Sequence, residues 1–204
     1  MPGLAGEILD LTLEHVLLVA AALAAAALVG IPLGVWLSRR AAWRKWVLGL
    51  ANVLQTIPSL ALFGFLIPLP FVGGIGKRTA IVALVLYALL PILRNTLTGL
   101  LGVDPAVLES AVAMGMTPRQ RLTRVELPLA ARTILAGVRI AAVTTVGTAT
   151  IAAAIGGGGL GVFIFRGLAS VDANLILAGA IPAALLALLV DGGLSWVERR
   201  FSPG

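Results

Sequence analysis

The chain has 204 residues, of which 59% are hydrophobic and 12% charged, against roughly 45–50% and ~25% in an average soluble domain. With a mean hydropathy of +1.05, that balance excludes an ordinary water-soluble domain. It also excludes a disordered chain, whose precondition is low hydrophobicity. The net charge of +6 is therefore read by its distribution between loops, not as a nucleic-acid footprint. Cysteine is absent and histidine occurs once, which leaves no disulfide, iron–sulfur or thiol chemistry and no histidine-based metal site.

Charge-free runs cover 16–37, 46–76, 140–165 and 173–190, with a shorter one at 79–93. They predict five helices, near 12–37, 47–69, 79–101, 135–155 and 173–196. A lipid core admits helices or closed barrels, and the runs lack the two-residue alternation of barrel strands. The fold class is thus an all-α integral membrane protein, with 1–204 as one transmembrane domain.

Ahead of the first span stand Glu7, Asp10 and Glu14 with no basic residue among them. That argues against a cleaved signal peptide, which needs a positive n-region. Within the span, Ala22, Ala26, Gly30 and Gly34 recur every four residues. They make a smooth stripe for another helix, in the same bundle or in a dimer seam. The next connection carries Arg39, Arg40, Arg44 and Lys45, flanked by Trp36, Trp43 and Trp46. Trp196 marks the same boundary at the end of the last span, since tryptophan favours the headgroup level.

Polar side chains share helix faces in three spans. Asn52, Gln55 and Ser59 do so in the second, Tyr87, Asn95 and Thr98 in the third, and Thr144 and Thr148 in the fourth. Such faces line a polar pathway or make interhelical hydrogen bonds worth ~0.6–2 kcal/mol each, and both readings stay open. Pro32, Pro58, Pro91 and Pro182 interrupt four of the spans, as kinks or as breaks beside a cavity. No acidic residue lies at mid-depth, Arg94 and Arg139 reach the boundary by snorkelling, and His15 reads as peripheral. An intramembrane enzyme would need a nucleophile–base pair or a metal cluster, and neither is present.

The connection at 102–132 is the long one, GVDPAVLESAVAMGMTPRQRLTRVELPLAAR with its flanks. Asp104-Pro105 starts a helix, Gly115 ends it, and Thr117-Pro118 opens a second, which Leu127-Pro128 closes before the fourth span. Ala111, Val112, Met114 and Met116 are apolar in a loop that should be wet, which suggests a protein docking site. A surface amphipathic helix is the alternative.

Basic residues set the orientation. Arg39, Arg40, Arg44 and Lys45, then Arg94, Arg119, Arg121, Arg124, Arg132 and Arg139, then Arg199 and Arg200 fall on one side. Lys77, Arg78 and Arg166 fall on the other, a split of twelve to three. The larger group belongs in the cytoplasm, with the N-terminus outside and the C-terminus inside.

Glu109-Ser110-Ala111, then Gly115, then nine residues, then Val125-Glu126-Leu127-Pro128 resembles the EAA motif of ABC importer permeases. Ser110 stands where the family has alanine and Val125 where it has isoleucine; every spacing matches. The stretches QTIPSLALFGFLIPL, GIGKRTAIVALVLYALLPILRNTLTGL, VGTATIAAAIGGGGLG and IFRGLASVDANLILAGAIPAALLALLVD resemble permeases for quaternary-amine osmoprotectants. Nearly the whole chain is covered. The resemblance implies a type I importer core of five spans and a substrate such as glycine betaine, choline or carnitine. It implies two ABC ATPase subunits, a second permease copy or sister permease, a separate extracytoplasmic substrate-binding protein, and the membrane of a prokaryote. It places Glu109, Ser110, Ala111, Gly115, Val125, Leu127 and Pro128 at the ATPase contact, with no catalytic residue, cofactor or metal in the permease. The pathway candidates are Asn52, Gln55, Ser59, Tyr87, Thr144 and Thr148. The glycine run at 156–159 lacks the lysine of a phosphate-binding loop and reads as a turn or outer gate. A methionine permease is the runner-up; a scaffold or channel without an ATPase is the alternative of another class.

Overall fold

The computed structural model describes residues 3–201. They form α1 (Leu4–Ser38), α2 (Ala41–Thr56), α3 (Ser59–Leu66), α4 (Lys77–Leu101), α5 (Pro105–Ala113), α6 (Pro118–Arg121), α7 (Leu127–Ile151), α8 (Gly161–Ser170) and α9 (Ala173–Arg200). A π turn, Leu122–Glu126, joins α6 to α7, and a 3₁₀ turn, Ala152–Ile155, follows α7.

Among the described residues, four helical stretches are long and apolar enough to cross a membrane: Leu4–Ser38, Lys77–Leu101, Pro118–Ile155 and Ala173–Arg200. The span expected at 47–69 is broken at Pro58, one of the two readings open for that proline: α2 and α3 meet at a bend of 103° and make a fifth span only together. Ile57 is extended and Pro58 caps α3, because a residue before proline is pushed out of the helical region. Pro32, Pro91 and Pro182 stay inside continuous helices.

The expected helix stop at Leu127-Pro128 is also corrected. The chain is helical without interruption from Pro118 to Ile155. Leu127 N–H donates to the carbonyl of Leu122, one residue farther back than in an α-helix. That widened turn carries the helix past Pro128, which has no N–H and whose ring crowds the preceding turn. The second short helix of the loop is therefore the leading end of the crossing helix.

α1, α4 and α7 form the centre, with α9 against α7 and α8. Ala22, Ala26, Gly30 and Gly34 are all buried. A Cβ on Gly34 would lie 2.6 Å from Thr96 Cγ2, and one on Gly30 would lie 3.0 Å from Ile92 Cγ2. The stripe is thus filled within the chain, by α4. Across the other side of α4, a Cβ on Gly137 would lie 2.4 Å from Asn95 Cβ. Leu18, Val19, Phe63, Leu84 and Val146 pack the core between α1, α3, α4 and α7. Leu177, Ile181, Leu185 and Leu188 of α9 point outward and stay exposed, as a helix facing apolar surroundings requires.

Candidate functional site

A cleft of about 430 Å³ opens between α2, α4 and α7, lined by Gln55, Tyr87, Leu90, Pro91, Arg94, Asn95, Ile140, Thr144 and Thr148. Its polar groups are oriented by the backbone around them. Gln55 Nε2 donates to the Tyr87 carbonyl at 2.9 Å, and the Tyr87 hydroxyl donates to the carbonyl of Ile57 at the α2–α3 bend. Asn95 Nδ2 donates to the Pro91 carbonyl, one turn back on α4, at 2.9 Å; the carbonyl that Pro91 itself leaves without a helical donor is that of Tyr87, the one Gln55 reaches. Thr144 and Thr148 donate to the Ile140 and Thr144 carbonyls, each at 2.9 Å, so both hydroxyl protons are engaged within α7.

Of the six pathway candidates, Gln55, Tyr87, Thr144 and Thr148 share this cleft. Asn52 borders it through Oδ1, which accepts from Arg94 Nη2 at 2.9 Å. Ser59 does not line it: the 103° bend carries α3 away from the face of α2 that bears Asn52 and Gln55. Thr98 lines a different cavity, with Asp104 and Thr133. Arg94, read from sequence as a boundary residue, is a wall of the cleft. Its spacing of seven from Tyr87 was the available signal.

The loop builds its own second feature. Asp104 Oδ1 accepts from Ala106 N–H at 2.9 Å and starts α5, with Pro105 in the first turn, where its missing N–H costs nothing. Gly115 ends α5 with a φ of 77°, a conformation that costs other residues ~1–2 kcal/mol. Thr117 and Gln120 then form a reciprocal capping box that starts α6. Ala111 is buried against the chain, whereas Glu109, Ser110 and Gly115 are exposed. Val125 and Leu127 are half-buried and Pro128 is exposed. Val112 and Met114 add 55% and 70% exposed apolar side chains to the same face, which makes it a surface that a partner would cover.

Glu126 was not singled out in the sequence, yet it is the buried polar centre of this region. It is 3% exposed, with Oε2 2.5 Å from Arg39 Nη2 and Oε1 2.8 Å from Arg121 Nε. Two charge-assisted bonds compensate its desolvation and tie the end of α1 to the base of α6. An acidic residue amid arginines was the visible hint.

The far end of the bundle holds another cluster. Glu14 Oε1 lies 2.6 Å from Lys77 Nζ, and Glu14 Oε2 accepts from Gly159 N–H at 2.8 Å. Gly158 and Gly159 have φ of 81° and 74°, and a Cβ on either would strike Glu14 or His15. The glycine run is therefore a seated turn against α1. His15 is not peripheral: it is fully buried, with Nε2 3.1 Å from the Val146 carbonyl it donates to.

The family described as "Binding-protein-dependent transport system inner membrane component" matches residues 8–203. The chain is 46% identical over 198 residues to the choline transport system permease protein OpuBB of Bacillus subtilis (strain 168), covering 97% of this chain and 90% of that one. It is 46% identical over 191 residues to the carnitine transport permease protein OpuCD of Listeria monocytogenes serotype 1/2a (strain 10403S), covering 93% and 84%. The osmoprotectant import permease protein OsmW of Salmonella typhimurium is 45% identical over 202 residues, covering 96% and 90%. Among solved structures, a chain of the MetNI methionine ABC transporter in an inward-facing conformation superposes with a TM-score of 0.87 at 25% identity, with all of both chains covered. With apolar helices of spanning length, a polar cleft between three of them and these likenesses over nearly its full length, the chain belongs to the family of binding-protein-dependent transport system inner membrane components.

Proposed function

We propose that the chain is the permease subunit of an ATP-driven uptake system for small quaternary-amine solutes: glycine betaine, carnitine or choline. The observation that carries this reading is the 44–46% identity, over nearly the whole chain, to permeases named for those solutes. The N-terminus lies outside and the C-terminus in the cytoplasm, supported by the distribution of arginine and lysine. Two ATPase subunits bind inside, a second permease copy or sister permease completes the pathway, and a separate receptor delivers substrate outside. ATP hydrolysis takes place in the ATPase subunits.

The ATPase takes the face of α5 that carries Glu109, Ser110 and Gly115. Motion of α5 passes to α1 through Arg39–Glu126–Arg121. It passes to the cleft through the continuous stretch Pro118–Ile155, which bears Thr144 and Thr148. At 1.5 Å per residue a helix is a stiff lever, so a shift at its cytoplasmic end reaches the cleft wall. The structural likeness to the methionine transporter supports a second substrate reading. Uptake of labelled glycine betaine, carnitine, choline and methionine by the reconstituted complex decides between them. Methionine uptake without amine uptake would replace the first reading with the second.

A further inference from the structure

Among the described residues, the cleft has one charged residue in its lining, and that residue is cationic. Arg94 stands on α4 two turns beyond Tyr87, and no carboxylate among the described residues lines the same space. Asn52 Oδ1 accepts one guanidinium N–H at 2.9 Å and holds the group at the cleft edge. Arginine carries five donors in a planar fork, so one bond to Asn52 leaves donors to offer a ligand. Those donors match a carboxylate, which accepts two parallel N–H bonds from such a fork. A trimethylammonium group neither donates nor accepts a hydrogen bond; its natural neighbour is an aromatic face, and Tyr87 is the aromatic residue of the lining.

We propose that Arg94 makes the cleft selective for zwitterions, solutes joining a quaternary ammonium to a carboxylate, over quaternary cations that end in an uncharged alcohol. The inference rests on the substrate reading above and narrows it. A zwitterion places its carboxylate on Arg94 and its ammonium toward Tyr87. A cationic alcohol meets the guanidinium with like charge and no opposing carboxylate in the wall. The receptor selects what is delivered; the cleft adds a second filter at the permease.

The test is saturation-transfer NMR of the N-methyl protons of glycine betaine, carnitine and choline. The sample is the permease–ATPase complex in lipid nanodiscs, with no receptor present. Glycine betaine and carnitine should saturate at concentrations about tenfold or more below choline, the factor for a charge-assisted hydrogen bond. Arg94→Gln should close that gap, and Arg94→Lys, which keeps the charge but loses the fork, should leave a smaller one. Choline binding as tightly as glycine betaine in the wild type would overturn the proposal, as would an undiminished gap in Arg94→Gln. Should Arg94→Gln fail to assemble, a gap unchanged in Arg94→Lys overturns the fork and a reduced gap supports it. Absence of signal from all three amines in the wild type would overturn the proposal that the cleft itself binds solute, while the uptake assay above tests the substrate reading separately.

Discussion

Arg39 and Glu126 are 87 residues apart in sequence, yet Arg39 Nη2 donates to Glu126 Oε2. Arg39 caps the C-terminal end of α1, and Glu126 closes the π turn that leads into α7. Since Arg121 holds the other oxygen, one buried carboxylate fastens two crossing helices at the foot of the coupling segment.

Glu126→Gln keeps the shape and removes the charge. Breaking a fully buried pair costs ~3–5 kcal/mol. Arg39 and Arg121 keep 40% and 25% exposure, so solvent compensates them in part and the expected loss is about 1–3 kcal/mol. A double-mutant cycle with Arg39→Gln, read by chemical or thermal unfolding of the purified complex, measures the coupling. A coupling energy within 0.3 kcal/mol of zero would show that the contact is incidental.

The loop gives a pair of outcomes. Gly115→Val meets no neighbour within 4 Å, so its cost comes from the backbone at φ 77°, ~1–2 kcal/mol. It should weaken co-purification with the ATPase while helical content of the spans is retained. Glu109→Ala should lower the stimulation of ATP hydrolysis by loaded receptor more than basal hydrolysis. Normal assembly and stimulation in both variants would place the ATPase contact elsewhere.

Two glycines in the α1–α2 region make opposite predictions. A Cβ on Gly34 falls 2.6 and 2.7 Å from Thr96 atoms, whereas Gly49 has nothing within 4 Å. Gly34→Ala overpacks the α1–α4 seam and should cost about 1–3 kcal/mol. Gly49→Ala sits in a helix with room to spare and should gain ~0.5–1 kcal/mol. Unfolding midpoints of the two variants moving in the same direction would refute the seam.

What the sequence made legible were the features written in local spacing. The four-residue repeat of Ala22, Ala26, Gly30 and Gly34 marked a close helix contact, and Asp104, Gly115 and Thr117 marked the ends of short helices. Features set by distant partners were not legible. Pro128 reads as a stop unless the π turn ahead of it is known. Pro58 announces a break but not its 103° angle, and that angle removes Ser59 from the face of Gln55. The burial of His15, the pairing of Glu126 and the place of Arg94 in the cleft were not legible because their partners Val146, Arg39 and Asn52 lie far away in the chain.

Orientation is open to a simple assay, because the chain has no cysteine of its own. Single cysteines at Ser110 and at Gly74 should react with a membrane-impermeant maleimide from opposite sides of sealed inside-out and right-side-out vesicles. Ser110 is expected to label from the cytoplasmic side and Gly74 from outside. Labelling of both from one side would overturn the proposed arrangement of spans.

Accumulation against a gradient tests the central claim most directly. Proteoliposomes holding the permease and its ATPase, oriented for import with ATP on the cytoplasmic side and receptor outside, are given labelled glycine betaine. Internal label should rise above the external concentration, and removal of either ATP or receptor should abolish the rise. Label that only equilibrates, at the same rate with and without ATP, would mark a channel and contradict an ATP-driven importer.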